Sequence, residues 1–171
     1  TLNRIETLLD GAAPATAFLR PGYFMETWSE VAGPAMSASV LPTFLDPAQP
    51  VPMVSTVDVG RAAAALLGEN WAGTRTVELA GPADWRAGDV AAAFSSVLGR
   101  PVAPAFVPPD QRAAVLAGAG VPAEVADALL GMYEGIASGR VAREPGRELR
   151  HGTVSLAEAV ARIVSAAMAA A

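Results

Sequence analysis

The 171-residue chain contains no cysteine, no lysine and a single histidine. Without cysteine it can form no disulfide and offers no thiolate nucleophile, so the sequence does not indicate a redox compartment. One histidine excludes a conventional histidine-rich metal site, and no metal is expected. All twelve basic residues are arginine, which together with abundant alanine is typical of a high-GC coding bias rather than of a functional device.

Charge and hydropathy exclude two classes of partner. The net charge is −5 and the pI about 4.8, so the chain has no basic field that could hold a nucleic-acid backbone. No apolar run approaches the roughly 18 residues that a membrane helix needs, and no signal-peptide pattern occurs. We therefore expect a cytoplasmic protein that binds neither nucleic acid nor membrane.

The composition is that of a folded domain. Hydrophobic residues make up 52% of the chain and charged residues 17%, which is ample for a packed core. The length suits about one domain. The first residue is Thr1, and a helical pattern already runs from Leu2 to Asp10, so we interpret the sequence as a segment whose N-terminal part is missing.

The stretch around residues 15–27 predicts the element that organises the rest. Thr16–Arg20 is typical of a short buried strand, and Pro21-Gly22 ends it. A helix is then predicted to open with the aromatic pair Tyr23-Phe24, with Phe24 and Trp28 on one face. In open α/β sheets ligands bind outside the carboxyl ends of the strands, so part of any site is expected at residues 20–27.

Strands and helices continue to alternate after this corner. Val51–Ser55 predicts an edge strand, because Pro52 cannot donate to a ladder. Asp58 is predicted to be the N-cap of the next helix, and Arg75–Ala80 is an alternating strand. This order predicts an α/β fold with a parallel sheet, of which three to four strands are visible.

The last third of the chain is predicted to be rich in helix. Residues 140–150 carry four arginines and two glutamates and are interpreted as a solvated loop. Ser155–Glu158 is a capping box that opens a final helix. The apolar faces of the visible strands need more sheet beside them than these elements supply.

Five segments in order carry a resemblance to a known family. They are Leu19–Glu26, Val54–Gly60, Glu78–Pro82, Leu98–Val102 and Thr153–Glu158. Their sequences and spacing resemble the NmrA-like family, an atypical branch of the short-chain dehydrogenase/reductase superfamily. The likeness covers nearly the whole chain and aligns with only the C-terminal half to two-thirds of such a protein.

The resemblance implies the C-terminal part of a Rossmann-like domain with a helical substrate-binding cap. Residues 1–107 would belong to the NAD(P)-binding domain, residues 108–152 would form the cap, and residues 153–171 would be a helix packing back on the domain. No glycine-rich phosphate loop of the G-x-G-x-x-G type occurs. NADP(H) or NAD(H) would therefore bind only if the missing N-terminal half is present. The Tyr-x-x-x-Lys pair of classical relatives is absent, because the chain has no lysine.

The resemblance also implies which residues border the site. The cofactor would be bound by Pro21, Gly22, Tyr23 and Phe24, and the substrate by Tyr23, Met25, Glu26, Met132 and Tyr133. The catalytic residue is unassigned. Several of these positions have an ordinary structural alternative: core packing for Phe24 and for the helix of Met132 and Tyr133, and a solvated first-turn acid for Glu26.

Other polar residues are predicted to have structural roles. Arg20 follows a buried strand and is expected to pair with a carboxylate or a loop carbonyl. Asp58 is expected to cap its own helix, and His151 is interpreted as a surface-loop histidine. The four arginines of residues 140–150 are expected to be solvated rather than to bind substrate phosphate.

Three functional readings remain open from the sequence. The first is part of an NAD(P)H-dependent oxidoreductase that acts on a small carbonyl, enone or quinone-like substrate. The second is a dinucleotide-sensing regulatory module that acts through a partner protein without turnover. The third is a stand-alone half-fold that binds no dinucleotide and pairs its exposed sheet edge with another copy in a homodimer.

Overall fold

The computed structural model describes residues 2–170. Thr1 and Ala171, the outer bounds of the predicted domains, lie outside the described residues. The helices are α1 (Leu2–Leu9), α2 (Ala32–Ala38), α3 (Thr56–Leu67), α4 (Ala87–Leu98), α5 (Pro109–Gly118), α6 (Ala123–Ala137) and α7 (Leu156–Ala169), with a 3₁₀ helix at Met25–Val31. The strands are β1 (Ala15–Pro21), β2 (Tyr23–Phe24), β3 (Val40–Thr43), β4 (Val51–Val54), β5 (Gly73–Ala80), β6 (Asp84–Trp85), β7 (Ala103–Phe106) and β8 (Glu148–His151).

The centre of the fold is a parallel sheet of three strands in the order β1-β5-β8. Leu19 lies opposite Val77, and Leu79 lies opposite Arg150. Helices alternate with these strands along the chain. The predicted α/β fold with a parallel, Rossmann-like sheet is therefore confirmed.

Strand β8 was not predicted from the sequence pattern. The prediction of a loop through residue 150 is wrong for its last three residues, which pair with β5. The charged residues of β8 suggested a solvated loop because each looks unpaired in the sequence. In the fold, Glu148 and Arg150 bind Arg75 and Glu69, which lie far away in the chain.

The corner after β1 also differs from the prediction. Tyr23 and Phe24 form β2, which pairs in parallel with Met53 and Val54 of β4, and the helical turn begins only at Met25. The predicted helix start at Tyr23 is wrong because tertiary pairing with β4 overrides the local helical pattern. Strand β4 is buried and lies between β2 and β6, so its prediction as an edge strand is wrong too.

The main core lies between α7, α4, α2 and the 3₁₀ helix. Phe94, Met25 and Val160 are among its fully buried side chains. The predicted capping box of α7 is confirmed, since the Ser155 hydroxyl accepts from the Glu158 amide at 3.2 Å and the Glu158 carboxylate accepts from the Ser155 amide at 2.9 Å. Helix α7, which this capping box begins, packs into the core.

Asp58 performs a different task from the one predicted. The N-cap of α3 is Ser55, whose hydroxyl accepts from the Val57 amide at 3.3 Å. Asp58 lies one turn further on and is buried, and its carboxylate accepts from the amides of Thr153 and Val154 at 2.9 and 2.8 Å. The prediction of a local cap is wrong, because Asp58 joins α3 to the segment after β8.

Residues 2–170 contain no helix that is both long enough and apolar enough to span a membrane. A groove of about 470 Å³ runs between one face of β1 and the second half of α3. Leu19, Leu66 and Trp71 contribute to its lining, so this face of β1 is not covered by another element among the described residues.

Candidate functional site

The three parallel strands reach their carboxyl edge at three glycines. Gly22 follows β1, Gly81 follows β5 and Gly152 follows β8. A Cβ atom on Gly22 would lie 2.6 Å from the Pro52 carbonyl oxygen, and one on Gly81 or Gly152 would collide with the Met53 carbonyl or the Asp58 carboxylate. Glycine is therefore required here for close packing.

The backbone hydrogen bonds between β1, β5 and β8 continue to the glycines at this edge. The Gly22 amide donates to the Leu79 carbonyl at 2.9 Å, and the Gly152 amide donates to the Ala80 carbonyl at 2.7 Å. His151, predicted to be in a surface loop, is an exposed residue of β8, and its Nδ1 lies 2.9 Å from the Gly81 carbonyl oxygen. The carboxyl ends of all three strands are thereby held in one fixed arrangement.

Two tyrosines predicted to border the site, 110 residues apart, lie in contact beside this edge. The hydroxyl oxygens of Tyr23, in β2, and Tyr133, in α6, are 3.2 Å apart, and their ring centroids are 6.4 Å apart. Burial is the main cause that raises the pKa of the Tyr23 phenol, and the neighbouring Tyr133 raises it further. Burial raises the pKa of Tyr133 as well, so both phenols stay neutral near physiological pH.

A second parallel pair of strands delivers further side chains to Tyr133. Strands β3 and β7 pair in parallel and end at Thr43 and Phe106. Phe44 follows β3, and its ring meets the ring of Tyr133 edge-on with the centroids 5.1 Å apart. Tyr133 therefore lies where the carboxyl ends of two separate groups of strands converge.

Arg112 of α5 binds the residues that follow the carboxyl ends of β3 and β7. Its Nη2 donates to the Phe44 carbonyl at 2.8 Å and its Nε to the Val107 carbonyl at 3.1 Å. Its guanidinium carbon lies 5.5 Å and 5.4 Å from the ring centroids of Phe44 and Phe106. Neither Phe44 nor Arg112 is predicted from the sequence, since neither belongs to a periodic pattern or a motif.

The remaining predicted site residues have diverse surroundings. Phe24 has 39% of its surface exposed, so the alternative of core packing is wrong for it. Met132 is half-buried and packs against the core. Pro21 is half-buried at the end of β1. The assignment of these residues to a cofactor or substrate stays a prediction.

Met25 and Glu26 have structural contacts of their own. Met25 is 1% exposed and belongs to the core. The Glu26 carboxylate accepts from the Ser55 hydroxyl at 2.5 Å and from the Thr56 amide at 2.9 Å, so it binds the first turn of α3 rather than standing free in solvent. A substrate contact for either residue stays a prediction.

The arginines predicted to be structural are engaged in ion pairs. Arg20 binds Glu6 at 2.6 Å and Glu144 at 2.9 Å, which confirms the expected carboxylate partner. Arg150 binds Glu69 at 2.7 Å, and Arg75, for which no role was predicted, binds the same carboxylate at 2.7 Å. Within residues 2–170, no group of three or more histidine, aspartate or glutamate side chains is placed to hold a metal ion.

Comparison with known proteins identifies the family. The model of the NmrA-like family matches residues 4–154. No curated protein sequence matches the chain. Among solved structures, the NADPH-dependent quinone oxidoreductase of Escherichia coli in complex with NADPH is similar with a TM-score of 0.75 and 24% identity. The match covers 95% of this chain and 58% of that protein.

Two further structures share the fold. The triphenylmethane reductase of Citrobacter sp., solved with NADP(H), has a TM-score of 0.70 at 22% identity over 86% of this chain and 52% of the reductase. A UDP-glucose 4-epimerase of Bifidobacterium longum has a TM-score of 0.55 at 12% identity, over 95% of this chain and 50% of the epimerase. These matches show a common fold, and the family match over 4–154 shows that the chain belongs to the NmrA-like family.

Proposed function

We propose that this chain forms the substrate side of an NAD(P)H-dependent oxidoreductase that reduces a small carbonyl or quinone-like compound. The observation that carries the proposal is the convergence of two strand groups on Tyr133 at their carboxyl ends. This is the place where open α/β sheets bind ligands. The names of the similar structures, a quinone oxidoreductase and a triphenylmethane reductase, support a redox reaction on an unsaturated ring compound.

The residues present fit one end of a dinucleotide. At the carboxyl end of β1, the exposed Phe24 offers an aromatic surface for the nicotinamide. The half-buried Tyr23, on the opposite face of β2, lies against Tyr133. The 171 residues contain no glycine-rich loop for the pyrophosphate. We therefore propose that tight dinucleotide binding needs polypeptide beyond these residues, which supplies that loop.

The residues of this chain would bind and orient the substrate. A bound nicotinamide would supply the hydride. The Tyr23–Tyr133 pair would hold a substrate oxygen through a phenol hydrogen bond, and Phe44 and Tyr133 would give the substrate ring an aromatic wall. The three glycine contacts would keep the carboxyl edge fixed while the substrate is held.

Nicotinamide absorbance tests this proposal directly. The protein as isolated from its source is mixed with NADPH and a panel of quinones, and consumption of NADPH that depends on the quinone is expected. The control is the bacterially produced chain of residues 1–171, which is expected to bind NADPH poorly. Tight binding of NADPH to that chain alone, or no NADPH consumption by the isolated protein, contradicts the proposal.

One observation favours the second function, a dinucleotide-sensing module without turnover. Burial raises the pKa of Tyr23 and of Tyr133, which makes each phenol a weaker proton donor near neutral pH. A sensor of this kind would bind NADPH, as a titration would show, without consuming it in the presence of any member of the quinone panel.

A further inference from the structure

One charged side chain in the interior has no ion-pair partner. The buried charged residues among those described are Asp58, Glu78 and Arg112. Asp58 pairs with Arg61, and Glu78 lies 3.7 Å from Arg20. Arg112 is 6% exposed and forms no ion pair within residues 2–170. A buried cation without a counter-charge is costly unless something else compensates it.

The partners of Arg112 compensate its charge only in part. Nε and Nη2 donate to the Val107 and Phe44 carbonyls, and the rings of Phe44 and Phe106 flank the guanidinium. Nη1 has no hydrogen-bond partner in the described part of the chain. Arg112 also lies in the first turn of α5, where the helix dipole adds positive potential. The Asp110 carboxylate belongs to the same turn and, in the described structure, forms no ion pair with Arg112.

Arg100 provides a comparison at the opposite end of the same strand pair. Its guanidinium binds the Ser39 hydroxyl and the Met36 carbonyl, and the latter belongs to the last turn of α2. That helix end carries partial negative charge, which compensates a cation. Arg100 therefore has an electrostatic partner within the fold. Arg112 instead contacts two isolated carbonyls and two aromatic rings, and its Nη1 remains available to donate a hydrogen bond.

The neighbours of Arg112 define what could supply the missing charge. Phe44 contacts both the guanidinium and the ring of Tyr133, so a cation, two aromatic rings and a phenol hydroxyl lie together. Phe106 is 44% exposed, so this group of side chains is open to solvent on the side of Phe106. Guanidinium groups bind oxyanions, aromatic rings stack on planar rings, and a phenol donates to an oxygen.

We propose that Arg112, Phe44 and Tyr133 form a subsite for a planar aromatic oxyanion, such as an ionised hydroxyquinone. The oxyanion accepts a hydrogen bond from Nη1 of Arg112 and supplies its counter-charge, and the ligand ring packs against Phe44 and Tyr133. This subsite rests on the proposed function, because it specifies the charge of the substrate class that the same site takes.

Two naphthoquinones of nearly equal shape test the subsite by binding alone. The 2-hydroxy-1,4-naphthoquinone is an anion at neutral pH, and 2-methyl-1,4-naphthoquinone is neutral. Isothermal titration calorimetry at low salt, without cofactor, is expected to give about tenfold or more tighter binding of the anion to the unmodified protein. Raising the salt concentration is expected to reduce that preference.

Three variants separate charge recognition from folding. Arg112→Met is expected to bring the two affinities within about twofold of each other, and Arg112→Lys to retain an intermediate preference because it keeps the charge and loses the planar fork. Arg100→Met is the matched control, since it removes a carbonyl-binding arginine away from Phe44, and it is expected to keep the full preference. Circular dichroism checks that each variant is folded.

The outcomes are distinct from those for the proposed function. Equal affinity of the unmodified protein for the two compounds, or no binding of either, overturns the subsite, and so does a folded Arg112→Met variant that keeps the preference. If Arg112→Met does not fold, the affinities of the two naphthoquinones for the unmodified protein and for Arg112→Lys still test the subsite. NADPH consumption with neutral quinones tests the proposed function, and its outcome does not depend on these affinities.

Discussion

Two regions of the central sheet hold their polar groups in different ways. At the carboxyl edge, backbone and buried side chains meet at Gly22, Gly81 and Gly152, and no room remains for a methyl group. Along β5, β8 and the loop before β5, an arginine–glutamate network of ion pairs is formed by Glu69, Arg75, Glu148 and Arg150. These side chains keep about a quarter to a third of their surface exposed.

This contrast indicates which region determines the geometry of the candidate site. Backbone packed against backbone cannot move without breaking ladder bonds, so a clash there is costly. Long side chains in water lose little when one partner is removed. We therefore expect the geometry of the carboxyl edge to depend on single atoms, and the arginine–glutamate network to tolerate substitution.

The largest effect is expected from Gly81→Ala. The new Cβ would collide with the Met53 carbonyl oxygen, and overpacking of this kind costs about 3 kcal/mol of unfolding free energy. Urea denaturation measures the loss. Gly60→Ala in α3 is the matched control, because a Cβ there meets no atom within 4 Å, and it is expected to stabilise the protein by about 0.5–1 kcal/mol. Equal stabilities of the two variants would contradict the comparison.

A smaller loss is expected from Asp58→Ala. The substitution leaves the buried Val154 amide and the amide of Thr153 without their acceptor, at a cost of about 2–3 kcal/mol. Thermal and urea denaturation measure the change. Asp127→Ala is the control, since Asp127 is exposed on α6, and a change within about 0.5 kcal/mol is expected. A similarly small change for Asp58→Ala would show that this junction is not rigid.

The tyrosine pair allows a spectroscopic test of the same edge. The chain has two tyrosines, and burial raises the pKa of both, Tyr23 and Tyr133. The native protein should therefore show little tyrosinate absorbance at about pH 10–10.5, where an unfolded chain titrates. The raised pKa contributes stability that is fully present below the unfolded pKa and is lost as the pH rises through the folded pKa.

Single variants assign that titration. Tyr133→Phe is expected to lower the pKa of Tyr23, because Tyr133 contributes to its rise, and burial should still keep it above that of the unfolded chain. Ultraviolet absorbance read from neutral pH upward, beside circular dichroism, separates titration from unfolding. Normal titration of both phenols in the folded protein would mean that the site is open to water.

The smallest effect at neutral pH is expected from Glu69→Gln in the arginine–glutamate network. Hydrogen bonds from Arg150 and Arg75 lower the pKa of Glu69 to about 2. A lowered folded pKa contributes stability that is present above the unfolded pKa and is lost as the pH falls through the folded value. Because solvent screens these partly exposed charges, the unmodified protein should lose only a small part of its stability between about pH 4.5 and pH 2.

The Glu69→Gln variant should lose less over that interval, because the amide does not titrate. Urea midpoints at neutral pH and at low pH measure the difference between the two proteins. Glu134→Gln is the control, since its ion pair with Arg140 is more exposed. A large loss of stability for Glu69→Gln at neutral pH would contradict the contrast between the carboxyl edge and the arginine–glutamate network.

The sequence predicted those parts of the fold whose signals are local. Alternating or buried apolar residues identified β1 and β5, and the capping box identified the start of α7. Strand β8 could not be predicted, because its glutamate and its arginine acquire partners only when β5 and the loop before it lie alongside. The role of Asp58 was hidden for the same reason, since its amide partners lie about 95 residues away.

The fold class and the family resemblance follow from the sequence alone, and the sequence also predicts a site after β1, which stays a prediction. Only the packing of distant elements brings Tyr23 to Tyr133, places Phe44 and Arg112 beside them, and gives Met25 and Glu26 their structural contacts. Periodicity and caps arise from residues a few positions apart, so a sequence shows them. Which side chains meet at the carboxyl ends depends on how separate strands and helices pack in space, and no local pattern encodes that.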